Sequence, residues 1–461
     1  MSALWTSQEA QAATLGQATQ AFAATGISID TRTLKPGDLF VALKGDTLDG
    51  HAYVRTALDA KASAALVSRK PEGVAGALLT VANTQRGLED LARASRARSR
   101  AKIVAVTGSA GKTTTKEMLR LAFGALGATH ASAESYNNHW GVPLSLAAMP
   151  REAQFGVFEV GMNHFGELRA LVSFVRPHVA LVTTIAPAHL EFFGSCEAIA
   201  DAKSEIFEGI LPGGAALLPS DSPYCERLTA RAKQAGISRI LCFGEKTGSD
   251  ARLIATSDAE EGMKIEADIL GRAVHFRIGA PGAHIARNAV GALLSIAALD
   301  GDVLNAAAAL QGFSALKGRG ARFRIALKGG GAQIIDESYN ANPASMSAAI
   351  ALLGAAPARR RVVVLGDMLE MGPQGPAHHA ALARDLEAAR VDLVFANGSQ
   401  MKMLWDALPA SRRGAYGAQS SEIVARVAAS TMPGDVVLVK GSKASKMNVI
   451  IDALKALDGA E

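Results

Sequence analysis

The chain has 461 residues, and at about one to two hundred residues per domain this length calls for roughly three cores rather than one. Hydrophobic residues make up 49% and charged residues 20%, which excludes a disordered or fibrous chain. The net charge is +5, from 48 Lys plus Arg against 43 Asp plus Glu, and aromatics are 5%; both values argue against a protein that coats nucleic acid or stacks on single strands.

The longest apolar stretches, such as residues 291–299, fall far short of the roughly twenty residues a membrane helix needs, so no span is expected. The opening MSALWTSQEAQAATLGQ lacks the basic start and apolar core of a secretory leader, which predicts a cytoplasmic protein. The three cysteines, Cys196, Cys225 and Cys242, are odd in number and lack CxxC spacing. They are expected to be buried small hydrophobes rather than a disulfide framework or a zinc site.

Short β-branched runs alternate with Ala/Leu-rich helical stretches, the pattern of parallel sheets covered by helices, so the expected class is α/β. Strand-like runs LFVAL (39–43), AALVS (64–68) and ALLTV (77–81) precede a helical stretch ending in ARASRARSR (92–100), and a linker is expected near residue 100. AKIVAVTG (101–108) is a strand followed by a glycine-bearing loop and the helical KTTTKEMLRLAFGAL. FGVFEVG (155–161), HVALVTTI (178–185), GAALLPS (214–220) and RILCFG (239–244) continue the strands, and 251–279 alternates as antiparallel hairpins do. A glycine- and arginine-rich stretch at 312–322 then gives way to AQIIDESY, RRVVVLGD, DLVFANG and DVVLVKGS. The expected architecture has three domains. A smaller N-terminal α/β domain (1–100) precedes a central P-loop-type mononucleotide-binding parallel sheet (101–314), and a C-terminal Rossmann-like domain (315–461) follows.

Thr107, Gly108, Ser109, Ala110, Gly111, Lys112, Thr113 and Thr114 lie between a strand and a helix. Glycines let backbone N–H groups turn inward around phosphate oxygens, a lysine supplies a point charge, and a threonine hydroxyl can ligate Mg²⁺. The spacing departs from GxxxxGK[ST], because Val106 stands where the first glycine would be. A P-loop enzyme also needs a carboxylate at the end of a nearby strand. Glu159, closing FGVFEV, is the stronger candidate; Asp367, closing VVVLGD in the third domain, is the weaker.

In SCEAIADAKSEIFEGI (195–210), Ile199, Ala202, Ile206 and Ile210 form one helical stripe, and Glu197, Asp201, Glu205 and Glu208 fall on the opposite face. Lys203 falls on the apolar side. Either it snorkels outward, or desolvation lowers its pKa and a neutral amine becomes available to take up carbon dioxide as a carbamate. His189, just after HVALVTTI, taken alone reads more readily as a surface or packing histidine than as a ligand. His378 and His379 are adjacent, lack metal spacing and are assigned no role.

The TGSAGKT loop resembles that of the Mur ligases and the related folylpolyglutamate synthetases, which use ATP to join amino acids or peptides to a carboxylate. The resemblance covers nearly the whole chain. It implies ATP as the nucleotide, bound by Gly108, Ser109, Ala110, Gly111, Lys112, Thr113, Thr114, Asn288, Arg319 and Asp336. It implies two Mg²⁺ sites drawing on Thr113, Glu159, His189 and a carbamylated Lys203. Lys112 and Arg319 then stabilise the transferring phosphoryl group.

Ser28, Asp30, Thr31 and Arg32, with Asp49 and His51, resemble the family's uridine-diphosphate-binding region. Asn137 and Asn138 in YNNHWGVP resemble its asparagine loop, which could otherwise be an Asn-rich turn. DESYNANP (336–343), with Tyr339, Asn340 and Asn342, resembles the motif of the member that adds a dipeptide; the DNPR motif of the preceding step is absent. Ser442, Lys443 and Lys446 fall in the loop that resembles the one near the incoming substrate. Glu337 stands where a second Asp is usual, and Ile285 where an Asn is frequent, while Asn288 is retained.

The implied substrates are UDP-N-acetylmuramoyl-tripeptide and D-alanyl-D-alanine, joined during peptidoglycan precursor synthesis by a monomer. Two other readings are a different Mur-type or folate–glutamate ligase and a nucleotide-hydrolysing switch. The YNANP run counts against the first, and the absence of a guanine-reading NKxD run counts against the second.

Overall fold

The computed structural model describes residues 3–459 except 134, 260 and 261. Alternation of apolar strands with amphipathic helices resolves into three large sheets, and each is mostly parallel because helices make the crossovers. In the N-terminal sheet the order is Gln17–Ala18, Leu78–Thr80, Ala64–Val67, Asp38–Val41 and Gly26–Ser28, with only the first strand antiparallel to its neighbour. The helix Thr84–Arg98, capped by Asn83, whose side chain accepts from the Arg86 amide, leads into the central domain. There Arg96 donates to the carbonyls of Val175 and Arg176, both at 2.7 Å, and closes the C-terminal end of the helix Glu167–Val175. Trp5 donates from Nε1 to Ala147 O at 2.9 Å and lies beneath the Arg98 guanidinium, so the junction is packed as well as tethered.

The central sheet has nine strands. Lys102–Thr107 lies inside it, paired in parallel with Phe155–Glu159 on one side and Val179–Val182 on the other. Its residues from Ile103 to Thr107 are fully buried, as a strand covered on both faces requires. Crossing from Phe155–Glu159 to Val179–Val182 passes over this strand and opens a crevice at the carboxyl ends. Beyond them come Ala215–Pro219, Arg239–Gly244 and the meander Ala251–Asp258, Met263–Ile269 and Arg272–Ile278. The expected hairpins over 251–279 are therefore the antiparallel end of the central sheet, joined to it where Phe243 and Gly244 pair with Ala251 and Arg252.

The third sheet runs Ala321–Leu327, Gly330–Glu337, Asp435–Lys440, Arg360–Gly366, Leu393–Asn397 and Arg413–Gly417, parallel after its first hairpin. One apolar cluster continues from the central domain (Ile185, Leu190, Phe193) into the third (Ala341, Met346, Met368, Met371), so these domains share buried surface.

Two local expectations change. The stretch 195–210 is an α-helix only over Cys196–Ser204 and tightens to a 3-10 helix over Glu205–Gly209. Glu205 is not on an outer face: it is 6% exposed, and its carboxylate accepts from the Gly166 amide at 2.8 Å and the Arg169 amide at 3.1 Å. It caps the earlier helix Glu167–Val175 at its N-terminus, where a carboxylate is favoured. Asp201 meets Arg227 Nε at 2.8 Å and Arg231 Nε at 3.0 Å, tying Cys196–Ser204 to the helix Cys225–Gln234. These hydrogen bonds, led by Arg227, lower its pKa to about 2. A carboxylate with a depressed folded-state pKa contributes stability above its unfolded value, near 4, and loses it as pH falls. Asp201→Asn is expected to lower the urea midpoint at pH 7, with the gap to the parent closing between about pH 4 and 2; an equal gap across that window would show that the pair is not electrostatic.

Candidate active site

At the carboxyl end of Lys102–Thr107 the chain turns through Gly108, Ser109, Ala110 and Gly111 into the helix Lys112–Gly124. Gly108 has φ +149°, and a Cβ there would lie 1.9 Å from Thr183 Oγ1. Gly111 has φ +80°, and a Cβ there would lie 2.8 Å from Asn288 Nδ2. Only glycine fits these two corners, by backbone and by space. Thr183 locks the loop by donating to Ala110 O at 2.5 Å, and Ser109 Oγ donates to Ala186 O at 2.9 Å while accepting from the Ala186 amide at 3.0 Å. No side chain caps the helix at Gly111, so its leading amides and its positive dipole end face the crevice, as phosphate binding requires.

Lys112 Nζ lies across this mouth and donates to Gly108 O at 2.8 Å. Burial lowers its pKa and the Arg319 charge adds to this, while Glu159 acts in the opposite direction. Thr113 Oγ1 donates to Glu159 Oε2 at 2.7 Å and lies 3.3 Å from Ser135 Oγ. Asn137 Nδ2 donates to Glu159 Oε1 at 2.6 Å. Glu159, 1% exposed, is thus fixed at both oxygens beside the loop. A hydroxyl and a carboxylate in contact are the hard oxygen donors that suit Mg²⁺, so the residues fit that ion.

Lys203 is 1% exposed, and its side-chain amine makes no hydrogen bond or ion pair among the described residues. Burial, with the Lys112 charge adding to it, pushes its pKa far down. His189 has φ +59° and directs Nδ1 to the Glu370 carboxylate of the third domain, which is held by the reciprocal bond from the Glu191 amide to Glu370 O at 3.0 Å. That hydrogen bond lowers the pKa of Glu370. Among the described residues no three His, Cys, Asp or Glu side chains form a metal-binding group. Of the three residues expected to converge, Glu159 lies beside the phosphate loop, Lys203 is within reach of the Lys112 charge, and His189 is turned to Glu370.

The third domain places Arg319 at this mouth, where Nη2 donates to Ser135 Oγ at 3.0 Å and the guanidinium lies 3.9 Å from the Tyr339 ring centre. Asp336, expected from the resemblance to be among the ATP-binding residues, is 2% exposed and accepts from Gly318 N at 2.9 Å, Ser338 N at 3.1 Å and Ser338 Oγ at 2.5 Å. Its carboxylate shapes the Arg319 loop instead of facing outward. Asn342 caps the helix Pro343–Ala355 and donates to Ser109 O of the phosphate loop at 3.3 Å. Asn340 is exposed, and its carbonyl accepts from the buried Lys440 at 2.9 Å.

Asp367 is 6% exposed and accepts from the Met401 amide at 2.7 Å, so it organises its own domain and is not a metal candidate. His379, fully buried, accepts at Nε2 from the Met368 amide at 2.9 Å, which leaves Nδ1–H to donate to Gly375 O at 2.7 Å. Ser442 is buried against Ser445 Oγ at 2.8 Å, and Lys443 and Lys446 are exposed. Ile285 is 4% exposed within an apolar cluster, and Asn288 lies against Gly111.

In the N-terminal domain Ser28 Oγ donates to Asp30 O at 3.0 Å, and Asp30 accepts from Arg32 Nη2 at 2.6 Å, with Thr31 between them half-buried. Arg32, 87% exposed at its side chain, also feels the phenols of Tyr136 and Tyr53. His51 accepts at Nε2 from the Ser68 amide at 3.0 Å and therefore donates from Nδ1 to Asp49 at 2.6 Å. The loop they hold reaches the asparagine loop, since a Cβ on Gly45 would lie 3.3 Å from the Trp140 ring. Asn138 makes the turn itself, accepting from the Gly141 amide at 2.9 Å. Ser135, Thr183, Glu370 and Lys440 escaped the sequence reading. Lys440 alone had a signal, a lysine ending an otherwise apolar strand.

A phosphate loop with a carboxylate on the adjacent strand and an arginine delivered from a further domain defines a multidomain, nucleotide-dependent enzyme. The chain matches "Mur ligase family, catalytic domain" over residues 23–106, "Mur ligase middle domain" over 106–296 and "Mur ligase, glutamate ligase domain" over 321–443. It is 32% identical to the UDP-N-acetylmuramoyl-tripeptide–D-alanyl-D-alanine ligase of Rickettsia prowazekii over 92% of this chain and 94% of that one. To the protein of the same name from Escherichia coli it is 33% identical over 93% of each. A crystal structure of MurF from Acinetobacter baumannii superposes with a TM-score of 0.84 at 31% identity, covering 98% of this chain and 99% of that one. The chain belongs to the Mur ligase family.

Gly108→Ala is expected to weaken binding of a fluorescent adenine nucleotide by at least about tenfold, because the new methyl collides with Thr183. An unchanged Kd with retained circular dichroism would show that this corner does not shape a phosphate site.

Proposed function

We propose that the protein joins D-alanyl-D-alanine to UDP-N-acetylmuramoyl-tripeptide with cleavage of ATP to ADP and phosphate, a step in making peptidoglycan precursor. The observation that carries this reading is the meeting, at one phosphate loop, of Glu159 and Ser135 from the central domain with Arg319 and Asn342 from the third. Similarity to ligases of that name along nearly the whole chain supplies the substrates.

A carboxylate at neutral pH is a poor electrophile. Attack of the tripeptide's terminal carboxylate on the γ-phosphorus of ATP breaks the bond to ADP and forms an acyl phosphate. The dipeptide amine then adds to the acyl carbon, and the tetrahedral intermediate expels phosphate, leaving the amide and a released proton. Lys112, the amides opening Lys112–Gly124 and Arg319 bind the charge that migrates across the phosphoryl group. Mg²⁺, when bound through Thr113 and Glu159, neutralises phosphate charge. A second Mg²⁺ site belongs to the same proposal, drawing on His189 and on Lys203 as its carbamate. The buried, unpaired amine of Lys203 supports that modification, because a neutral amine is the form that takes up carbon dioxide.

The remaining assignments follow the domains. Residues 1–100 bind the uridine diphosphate through Ser28, Asp30, Thr31, Arg32, Asp49 and His51. Residues 101–314 bind ATP and, through Asn137, orient Glu159. Residues 315–461 present Tyr339, Asn340 and Ser442 to the incoming dipeptide. Closure of the third domain on the second excludes water that would otherwise hydrolyse the acyl phosphate. The enzyme acts as a cytoplasmic monomer in this reading; no helix among the described residues is long and apolar enough to cross a membrane.

Phosphate release from ATP and Mg²⁺ is expected only with both cosubstrates present, with product heavier by the dipeptide residue. Lys112→Ala should lower turnover by more than about a hundredfold in a folded protein. Release indifferent to the cosubstrates would move the reading to a nucleotide switch. With carbon-13-labelled bicarbonate, a carbamate resonance is expected in the parent and not in Lys203→Ala; its absence from both would remove the modified lysine.

A further inference from the structure

The cysteines are expected from sequence to be buried small hydrophobes, yet all three are half-buried and free, and two of them meet. Cys225 opens the helix Cys225–Gln234, Cys242 lies on the strand Arg239–Gly244, and their Sγ atoms are 4.0 Å apart. Neither is loosely held. Thr229 Oγ1 donates to Cys225 O at 2.9 Å, and the Cys242 amide donates to Asp250 Oδ2 at 2.8 Å. Cys196 is engaged elsewhere, with the Tyr224 hydroxyl.

The two sulfurs have different electrostatic surroundings. Cys225 sits in the first turn of a helix, where anions are stabilised. The Cys242 thiol, the Thr229 hydroxyl and the Lys246 charge favour its thiolate; burial and Glu226 oppose it, and its pKa falls to about 7. Cys242 is pushed the other way, by its hydrogen bond with Cys225, by burial and by Asp250. Geometry thus sets Cys225, in the first turn of a helix and the better-placed nucleophile, in contact with a second thiol on the strand Arg239–Gly244.

We propose that Cys225 and Cys242 form an oxidant-sensitive dithiol that closes to an intramolecular disulfide on exposure to hydrogen peroxide, with Cys225 as the attacking and Cys242 as the resolving thiol. In the first step the Cys225 sulfur attacks a peroxide oxygen, the O–O bond breaks, and a sulfenic acid and water form. In the second the Cys242 sulfur attacks the sulfenic sulfur and a second water leaves. Both sulfurs are oxidised, the peroxide is reduced, and two thiols plus one peroxide yield one disulfide and two waters. The bond staples the helix Cys225–Gln234 to the sheet. Through Arg227 and Arg231 on Asp201, that helix holds Cys196–Ser204, which carries Lys203. The modification thus acts on the element bearing the buried amine without occupying the nucleotide crevice, and it is independent of the reaction proposed above.

The test uses the full chain, folded and reduced, treated with hydrogen peroxide, quenched, then denatured for thiol titration, intact mass and peptide mapping. Free thiols are expected to fall from three to one, with a mass loss of about 2 Da. A dithiothreitol-reversible linked peptide should contain positions 225 and 242, and the thermal midpoint should rise. Cys196→Ser should still close the bond. Cys242→Ser should stop at a sulfenic acid on residue 225 that dimedone traps. Oxygen addition without a link, a link involving Cys196, or disulfide-joined dimers would overturn the proposal, as would dimedone labelling of Cys242 in Cys225→Ser without labelling of Cys225 in Cys242→Ser.

Discussion

Bringing a carboxylate onto a triphosphate places like charges in contact, and that repulsion is the constraint the rest of the molecule answers. Cations must be held where water is scarce, because there their fields are least screened. Lys112 is accordingly half-buried at the mouth of the loop, where Glu159 and Arg319 act on its charge. Such a grouping is costly in isolation. It persists because the surrounding backbone is overdetermined. Gly108 is pressed on Thr183, Gly111 on Asn288, and Glu159 is bonded at both oxygens.

No single sheet can surround a triphosphate, so the crevice is completed by a second one. Arg319 and Asn342 reach the phosphate loop from loops that Asp336 and the cap of Pro343–Ala355 hold rigid. His189 and Glu370 face each other across the same boundary, both in left-handed backbone conformations. A carboxylate on one ring nitrogen fixes which nitrogen remains for another task. The apolar cluster shared by the two domains supplies the area that keeps these polar contacts in register.

Much of this was legible in the chain. The phosphate loop could be read because its parts are consecutive: an apolar strand, two glycines and a lysine opening a helix. Glu159 could be read because a carboxylate ending a buried strand must face the crevice at that edge. Asn342 was visible as a motif residue, and its capping of Pro343–Ala355 was supplied by the structure. Asp336 was visible as a motif residue, but its partners are Gly318 and Ser338, and nothing in local spacing says that a carboxylate will turn inward to a loop eighteen residues earlier. Ser135 and Glu370 carried no signal, since the interdomain contact of each is with a residue more than a hundred positions away. Glu205 misled for a related reason: helical periodicity placed it outside, and the unsatisfied amides of the helix Glu167–Val175 drew it in.

By itself the sequence determined the α/β class, the strand–loop–helix that binds phosphate and the kinds of side chain available to it, because these depend on periodicity and on neighbours within a few residues. Only the tertiary structure decided which groups meet. It set Arg319 against Ser135, Glu370 against His189 and Cys225 against Cys242, and it left the Lys203 amine buried without a partner among the described residues. Those outcomes depend on how separate sheets and helices pack, and packing brings together residues whose spacing along the chain carries no record of the encounter.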